Sequence, residues 1–139
     1  TDGRYHFVAL GTHRVRVDEW LPDAPYPRAR VIDWPDEHGD HSVSANAPVG
    51  ALIERIVALV GDMAAHGEVP AGVTPPEPAA LAAGLADDAT VAVYQLAAFA
   101  PFGAADRARL LAAPGLADRL VVFTEALDDL EAAVRFRRG

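Results

Sequence analysis

Two residue types are missing from the sequence, and their absence excludes several kinds of chemistry. There is no cysteine, which excludes disulfides, thiolate metal sites and cysteine nucleophiles. All 12 basic residues are arginine, so no lysine can complete a phosphate-binding P-loop, a Ser–Lys dyad or a Schiff base. Serine occurs only at Ser42 and Ser44, without the glycines of a nucleophile elbow. The sequence therefore favours a non-catalytic protein, and we expect no cofactor and no metal.

Long apolar runs and an excess of positive charge are also missing. The longest apolar stretch, residues 89–100, is interrupted by Thr90, Tyr94 and Gln95 and ended by Pro101, which makes it too short and broken for a membrane span. The N-terminus does not resemble a signal peptide, so we expect a cytoplasmic location. The formal net charge is −8, which opposes binding to nucleic acid.

The first quarter of the chain has the short alternating segments that are typical of β-strands. Residues 4–10, 14–18 and 26–34 each predict a strand, and Gly, Pro and Asp residues separate them. Within the second segment, Val15 and Val17 are expected to face a core.

Two pairs of arginines are spaced two residues apart on these strands. Arg14 and Arg16 form one pair and Arg28 and Arg30 the other, so each pair is expected to project from one face of the sheet. Such a basic stripe could contact phosphate or an acidic peptide, or it could be ordinary surface charge paired with carboxylates.

The spacing of apolar residues changes from two to about 3.6 near Asn46, which predicts helices for the rest of the chain. The first helix is expected to have Asn46 as its N-cap and Pro48 in its first turn, and to end near Gly67, with one apolar stripe. Its members are Val49, Leu52, Ile56, Leu59, Val60 and Met63.

Pro and Gly divide the remaining sequence into four more predicted helices. Thr74 and Glu77 have capping-box spacing before a short helix that runs to about Leu85. Helices are then expected over 89–100, capped by Asp87 or Asp88, over 104–112 and over 116–137. The apolar stripe of the last one consists of Leu116, Leu120, Phe123, Leu127, Leu130 and Val134.

These patterns predict an α+β protein in three parts. Residues 1–35 form a β subdomain, residues 36–47 a polar loop, and residues 48–139 an all-α helical bundle. The loop contains His38 and His41 among carboxylates, which are suitable metal ligands, although the spacing matches no known metal motif.

Several segments, taken in order, resemble the N-terminal substrate-binding domain of Lon proteases. An Asp-Gly turn leads into a strand and an Arg-x-Arg strand over residues 2–17, and Pro-Tyr-x-x-Ala-x-Val follows over 25–31. Residues 96–102 resemble that family's helix ending in a hydrophobic-Pro-hydrophobic break, and 106–111 and 117–120 resemble the segments after it.

The resemblance implies a PUA-like β-barrel followed by a helical bundle, as in small bacterial proteins that carry this domain alone. It further implies recognition of unfolded or partly folded polypeptide without catalysis, so that a label of Lon-type (S16) peptidase would be inherited from the family name only. The substrate-binding residues we expect are the aromatic Trp20, Tyr26 and Trp34, with Arg14 and Arg16.

The family's barrel begins with a strand upstream of the turn at Asp2-Gly3, so we predict that the chain is a fragment with a partial barrel. An unpaired sheet edge would remain, which a second copy of the chain could cover as a homo-oligomer. Two other functions are open: a metal-dependent hydrolase that uses the loop at 36–41, and a PUA-like RNA-binding module that uses the strand arginines.

Overall fold

The chain is an α+β protein in which a two-stranded sheet is followed by a helical region. The structure, a computed structural model, describes Tyr5 and residues 11–37, 46–69 and 76–138. Within these ranges two β-strands come first and five α-helices follow, in the order that the sequence predicts, and the strands do not close a barrel. The chain divides into two compact units, Thr1–Glu37 and His38–Gly139.

The first unit contains an antiparallel hairpin. Strand β1 (Val15–Leu21) pairs with β2 (Arg28–Asp33), and the amide of Trp34 donates to the carbonyl oxygen of Arg14 at 2.9 Å, which continues the ladder by one pair. The connection between the strands contains three prolines, which lack the N–H that a ladder requires, so pairing stops there.

Two of the three predicted strands are present. The segment predicted over 14–18 extends further than expected, and the one predicted over 26–34 is shorter at both ends. The strand predicted over 4–10 lies outside the described residues, apart from Tyr5.

The expectation that Val15 and Val17 face a core is wrong. Their exposed fractions are 43% and 41%, whereas the side chain of Arg14 is only 7% exposed. Arg14 is covered because backbone carbonyls and a carboxylate surround its guanidinium, which removes most of the cost of desolvating it. Strict alternation shows which residues share a face, but not which face is covered.

The first helix of the second unit, α1 (Asn46–Ala65), includes Asn46, the predicted N-cap, as its first residue and stops before Gly67 as predicted. Gly67 has φ 71°, the amide of Glu68 donates to the carbonyl of Met63 at 2.9 Å, and the amide of Gly67 donates to the carbonyl of Ala64 at 3.0 Å. This is a Schellman motif, in which glycine takes the left-handed conformation at little steric cost.

Helix α2 (Pro78–Ala83) begins later than the sequence predicts. Glu77 is its N-cap and Pro78 its first residue, so the capping box expected from Thr74 to Glu77 does not start this helix. Prolines occur at positions 75, 76 and 78, each of them acceptable in a first helical turn, and the residue before a proline is disfavoured in helical conformation. The last proline of the series therefore sets the start.

The last three helices agree closely with the predicted ones. They are α3 (Ala89–Phe99), α4 (Ala104–Ala112) and α5 (Leu116–Arg138). The carboxylate of Asp88 accepts a hydrogen bond from the amide of Val91 at 3.1 Å and so caps α3. Pro101 and Pro114, each followed within two residues by glycine, separate the helices.

All five helices of the second unit contribute to one hydrophobic core. Within this core the rings of Phe102 and Phe123 pack against each other, 5.0 Å apart in an edge-to-face arrangement. A buried side chain of this size contributes about 1.5–3 kcal/mol through removal of apolar surface from water. The other large members are Leu52, Ile53, Ile56, Leu59, Met63, Leu81, Val93, Leu96, Leu110, Leu127 and Val134.

Among the residues of this unit that the structure describes, one charged residue, Arg119 of α5, is fully buried, with an exposed fraction of 0%. Its Nε and Nη2 atoms donate to the carbonyl oxygens of Leu110 and Ala113, each at 3.3 Å. Those carbonyls belong to the C-terminal end of α4, where the helix itself provides no partner. A side chain of α5 thus provides hydrogen-bond donors to backbone carbonyls at the C-terminal end of α4.

Candidate functional site

A β-bulge in β1 determines which side chains share each face of the hairpin. The register passes from Val17 opposite Val31 to Glu19 opposite Arg30, and Asp18 between them has no paired residue. Directly opposed residues in antiparallel strands project from the same face. The extra residue shifts the alternation by one position, so Val17 and Trp20 share a face although they are three residues apart.

One face of the hairpin is apolar and exposed. The register places Val15, Val17 and Trp20 of β1 on the same side as Ala29 and Val31 of β2, and these five residues are called the apolar face. Asp33, opposite Val15, lies on the same side at the end of the ladder. Trp20 is 71% exposed, and all three valines are exposed as well. Contiguous exposed apolar surface of this kind marks contact sites in proteins.

The opposite face is rich in arginine. Arg16 pairs with Ile32, Leu21 with Arg28 and Glu19 with Arg30, which places these arginines on the same side of the sheet. Arg14 and Trp34 continue the ladder on that side. The arginine face is therefore defined by four guanidinium groups and one indole ring, namely those of Arg14, Arg16, Arg28, Arg30 and Trp34.

Arg14 is held in place by the segment that follows β2. Its Nε donates to the carbonyl oxygen of Trp34 at 2.6 Å and its Nη2 to that of Pro35 at 2.9 Å, and an ion pair of 3.0 Å joins it to Asp36. Its guanidinium carbon also lies 4.7 Å from the centroid of the Trp34 ring. These contacts fix the indole beside the strand.

The other arginines of this face differ in their partners. The guanidinium carbon of Arg16 lies 5.5 Å from the Trp34 ring centroid, within cation–π range, and Arg30 pairs with Glu19 at 2.6 Å. Arg16 and Arg28 make no ion pair within the described part of the chain. Two guanidinium groups of this face therefore have their charge available to another molecule.

The structure brings together three of the five residues expected to bind substrate. Trp34, Arg14 and Arg16 lie on the arginine face, Trp20 lies on the opposite face, and Tyr26 is exposed in the connection between the strands. Sequence reasoning did not select the exposed valines beside Trp20, because it assigned two of them to a core. No sequence signal marks the bulge at Asp18 that aligns them with Trp20.

Shallow grooves lie between neighbouring helices in the described part of the second unit. One lies between α1 and α5 beside Arg55, Asp62 and Glu131, with a volume of about 280 Å³. Another, of about 230 Å³, lies between α3 and α4 beside Tyr94 and Arg107. Both are open and smaller than the pockets of about 300–1,000 Å³ that usually hold small ligands.

A band of ion pairs joins α1 and its C-terminal extension to α5. Arg55 contacts Asp128 at 2.5 Å and Glu131 at 3.0 Å. Arg137 and Arg138 each lie 2.8 Å from a carboxylate oxygen of Glu68. The hydrogen bond from Arg137 has the largest effect on the pKa of the Glu68 carboxyl and that from Arg138 the next largest, and together they hold this pKa below its ordinary value. The band lies on the surface and is structural.

The described residues contain no group of three or more His, Asp and Glu side chains that could hold a metal ion. His38 and His41, which gave the alternative of a metal site, lie outside the described residues. Among the helices that the structure describes, none has the length and apolar character needed to cross a membrane.

A small sheet with two chemically different exposed faces, joined in sequence to a unit in which the described residues form five helices, defines an α+β domain. The chain belongs to the family of the ATP-dependent protease La (LON) substrate-binding domain, which it matches over residues 1–129. This family is a substrate-binding rather than a catalytic part of those proteases. No curated protein matches the chain, and no solved structure does.

Proposed function

We propose that the chain recognises polypeptide substrates by binding their exposed apolar segments on the apolar face of the hairpin. The observation that carries the proposal is Trp20, a large side chain that is 71% exposed beside exposed valines. Membership in a substrate-binding domain family supports a recognition role. The absence of lysine supports a role without catalysis by this chain, because a Ser–Lys dyad cannot be formed.

The size of Trp20 makes it the expected anchor of this surface. A tryptophan can bury about 150–250 Å² in an interface, which at about 25 cal/mol per Å² corresponds to roughly 4–6 kcal/mol before the cost of ordering the partner. The valines around it exclude water from the contact and contribute less individually. Aromatic anchors surrounded by such weaker contacts are typical of binding hot spots.

An apolar surface of this kind suits substrates that have exposed apolar segments in common but no common sequence. Hydrophobic contact is not directional, so many combinations of apolar side chains can be accommodated on a flat pleated face. Folded proteins bury such segments, whereas unfolded and damaged proteins expose them. The apolar face would therefore distinguish substrates by their folding state.

The test compares two exposed aromatic residues of the same chain. Trp20→Ala should weaken binding of a fluorescently labelled, permanently unfolded model protein by at least tenfold in an anisotropy titration. Phe136→Ala is the matched control, because Phe136 is 88% exposed on α5 in the second unit and should not affect binding. Trp20→Phe should retain most of the affinity. Equal affinities for the wild-type protein and Trp20→Ala would rule out the apolar face.

A second pair of variants tests the face rather than the anchor. Val31→Thr replaces a methyl group with a hydroxyl of similar size and should weaken binding about threefold to tenfold, since a polar group would be desolvated on contact. Val121→Thr makes the same change at an exposed position of α5 and should have no effect. If both variants bind the unfolded protein equally well, Val31 is not part of the contact.

A further inference from the structure

The arginine face offers a second, chemically distinct surface. We propose that Arg16 and Arg28 bind two carboxylates of an acidic polypeptide segment held in extended conformation. These two arginines lie on the face opposite Trp20, so acidic-peptide binding does not depend on apolar binding.

Ion pairs within the chain show that guanidinium groups of this face bind carboxylates. Two of its four guanidinium groups hold carboxylates of the same chain: Arg30 holds Glu19 at 2.6 Å and Arg14 holds Asp36 at 3.0 Å. Arg16 and Arg28 have no ion pair among the described residues. A guanidinium presents N–H donors in a planar fork that matches a carboxylate, so the same partner type fits the remaining two.

The ring of Trp34 orients the guanidinium of Arg16 for such a contact. The ring is fixed from one side by Arg14, which donates to the carbonyl of Trp34 at 2.6 Å, and the guanidinium of Arg16 lies 5.5 Å from the same ring. A cation held against an indole face loses fewer conformations when a ligand binds. In this arrangement Arg14 is a positioning residue, while Arg16 supplies the charge to the ligand.

Charge selects a peptide rather than a nucleic acid as the occupant. The whole chain has a formal net charge of −8, so a polyanion that extends beyond the hairpin would be repelled by the field of the protein. A segment with two or three carboxylates meets the local positive surface and extends little further. Screening limits the longer-range repulsion to about 8–10 Å at ordinary salt.

The register of the hairpin sets the spacing of the two carboxylates. Arg16 lies opposite Ile32, and Ile32 is four residues along β2 from Arg28. At about 3.3 Å per residue the two positions are roughly 13 Å apart. In an extended peptide this is the distance between residues i and i+4, which also project to the same side. In a helical peptide the same residues lie only about 5–6 Å apart.

The test uses short Gly/Ser/Thr peptides with blocked termini and two glutamates, so that no apolar group and no terminal charge contributes. One peptide has the glutamates four residues apart and the other, of equal composition, has them adjacent. We expect the wild-type protein to bind the first more tightly in an anisotropy titration, and binding to weaken between about 0.05 M and 0.5 M salt. Equal binding of the two peptides would overturn the proposed geometry.

Variants of the full chain identify the residues involved. Arg16→Gln and Arg28→Gln should each weaken the spaced peptide roughly tenfold, as expected for loss of a charge-assisted hydrogen bond. Arg107→Gln is the matched control, because Arg107 is exposed on α4 and outside the hairpin. An unchanged affinity in Arg28→Gln, or tighter binding of a single-stranded RNA with the same arginine dependence, would overturn the proposal.

A variant of the apolar face distinguishes binding of acidic peptides from binding of apolar segments. Trp20→Ala should bind the spaced peptide as the wild-type protein does, and it leaves Trp34 as the single tryptophan of the chain. Quenching or a shift of Trp34 fluorescence on peptide addition would then report the contact directly. Loss of acidic-peptide binding in Trp20→Ala would contradict the assignment to the opposite face.

Discussion

The guanidinium carbon of Arg119 lies 4.4 Å from the centroid of the Tyr94 ring, so α5 and α3 meet through a cation and an aromatic face. The same guanidinium donates to two carbonyl oxygens at the end of α4. A single side chain therefore joins three helices through directional contacts. Such contacts specify one arrangement of the helices more narrowly than apolar packing does.

Replacement of Arg119 by methionine should destabilise the protein by about 3 kcal/mol. Methionine fills part of the space, but the carbonyl oxygens of Leu110 and Ala113 lose their donor and Tyr94 loses the cation above its ring. Urea unfolding followed by helical circular dichroism measures the change. Arg107→Met, at an exposed position of α4, should change stability by less than about 0.5 kcal/mol, and a similar loss in both variants would show that burial of Arg119 is unimportant.

Two phenylalanines of α5 differ only in their surroundings and should differ in their contribution to stability. Phe123 is fully buried against Phe102, so Phe123→Ala should cost about 3–5 kcal/mol. Phe136 is 88% exposed, and Phe136→Ala should cost less than about 0.5 kcal/mol. Thermal and urea unfolding of the two variants test this, and comparable losses would contradict the position of the core.

Two glycines of the first helical segment should respond to alanine with opposite signs. Gly67 has φ 71°, so Gly67→Ala should destabilise the protein by about 1 kcal/mol. Gly50 lies within α1, and a Cβ there would meet no atom within 4 Å, so Gly50→Ala should stabilise by about 0.5–1 kcal/mol. Equilibrium unfolding of both variants checks the signs, and a neutral Gly67→Ala would argue against the Schellman motif.

The ion pairs of Glu68 should make a pH-dependent contribution to stability. Hydrogen bonds from Arg137 and then Arg138 lower the pKa of the Glu68 carboxyl in the folded state below its ordinary value of 4.5. A carboxyl of this kind stabilises the folded state above its unfolded-state pKa, and the contribution is lost as the pH falls through the lower folded-state pKa. Glu68→Gln should therefore lower the melting temperature near neutral pH, and the difference from wild type should shrink in acid.

The control for this measurement is Glu54→Gln, since Glu54 is exposed on α1 and makes no ion pair within the described residues. Melting temperatures of both variants and of the wild-type protein, measured from about pH 7 down to about pH 3, give the two differences as functions of pH. A difference for Glu68→Gln that stays constant over this range would show that its ion pairs do not stabilise the fold.

The helices could be predicted from sequence because the 3.6-residue spacing of apolar side chains and the positions of proline and glycine indicate the same boundaries. Helix α4 has the bounds expected and α3 ends within one residue of the prediction, since Pro101 and Pro114 interrupt the backbone hydrogen bonding after these two helices. Helix α5 begins where expected and ends one residue later than predicted. The start of α2 was missed because three prolines offered equivalent starting points. When several neighbouring residues could each begin a helix, the sequence does not show which of them does so.

Other features depend on contacts that no local pattern encodes. Arg119 stands in α5 beside the predicted apolar stripe, and its burial is compensated by hydrogen bonds to carbonyl oxygens at the C-terminal end of α4. The candidate site was predicted only in part for a similar reason. Trp20, Trp34, Arg14 and Arg16 were recognisable as residues suited to binding, but the bulge that places Trp20 apart from the others depends on how two strands pair.

The unpaired Asp18 allows the length of β1 to change by one residue without exchanging the two faces of the hairpin. Loss of Asp18 would remove the bulge and leave Val17 and Trp20 two residues apart, so the indole would stay beside the valines and Leu21 beside the arginines. A slip in pairing that brought Asp18 into the ladder would instead turn Trp20 toward the guanidinium groups and Leu21 toward the valines. The ligand chemistry of each surface therefore depends on how the two strands pair rather than on the number of residues in β1.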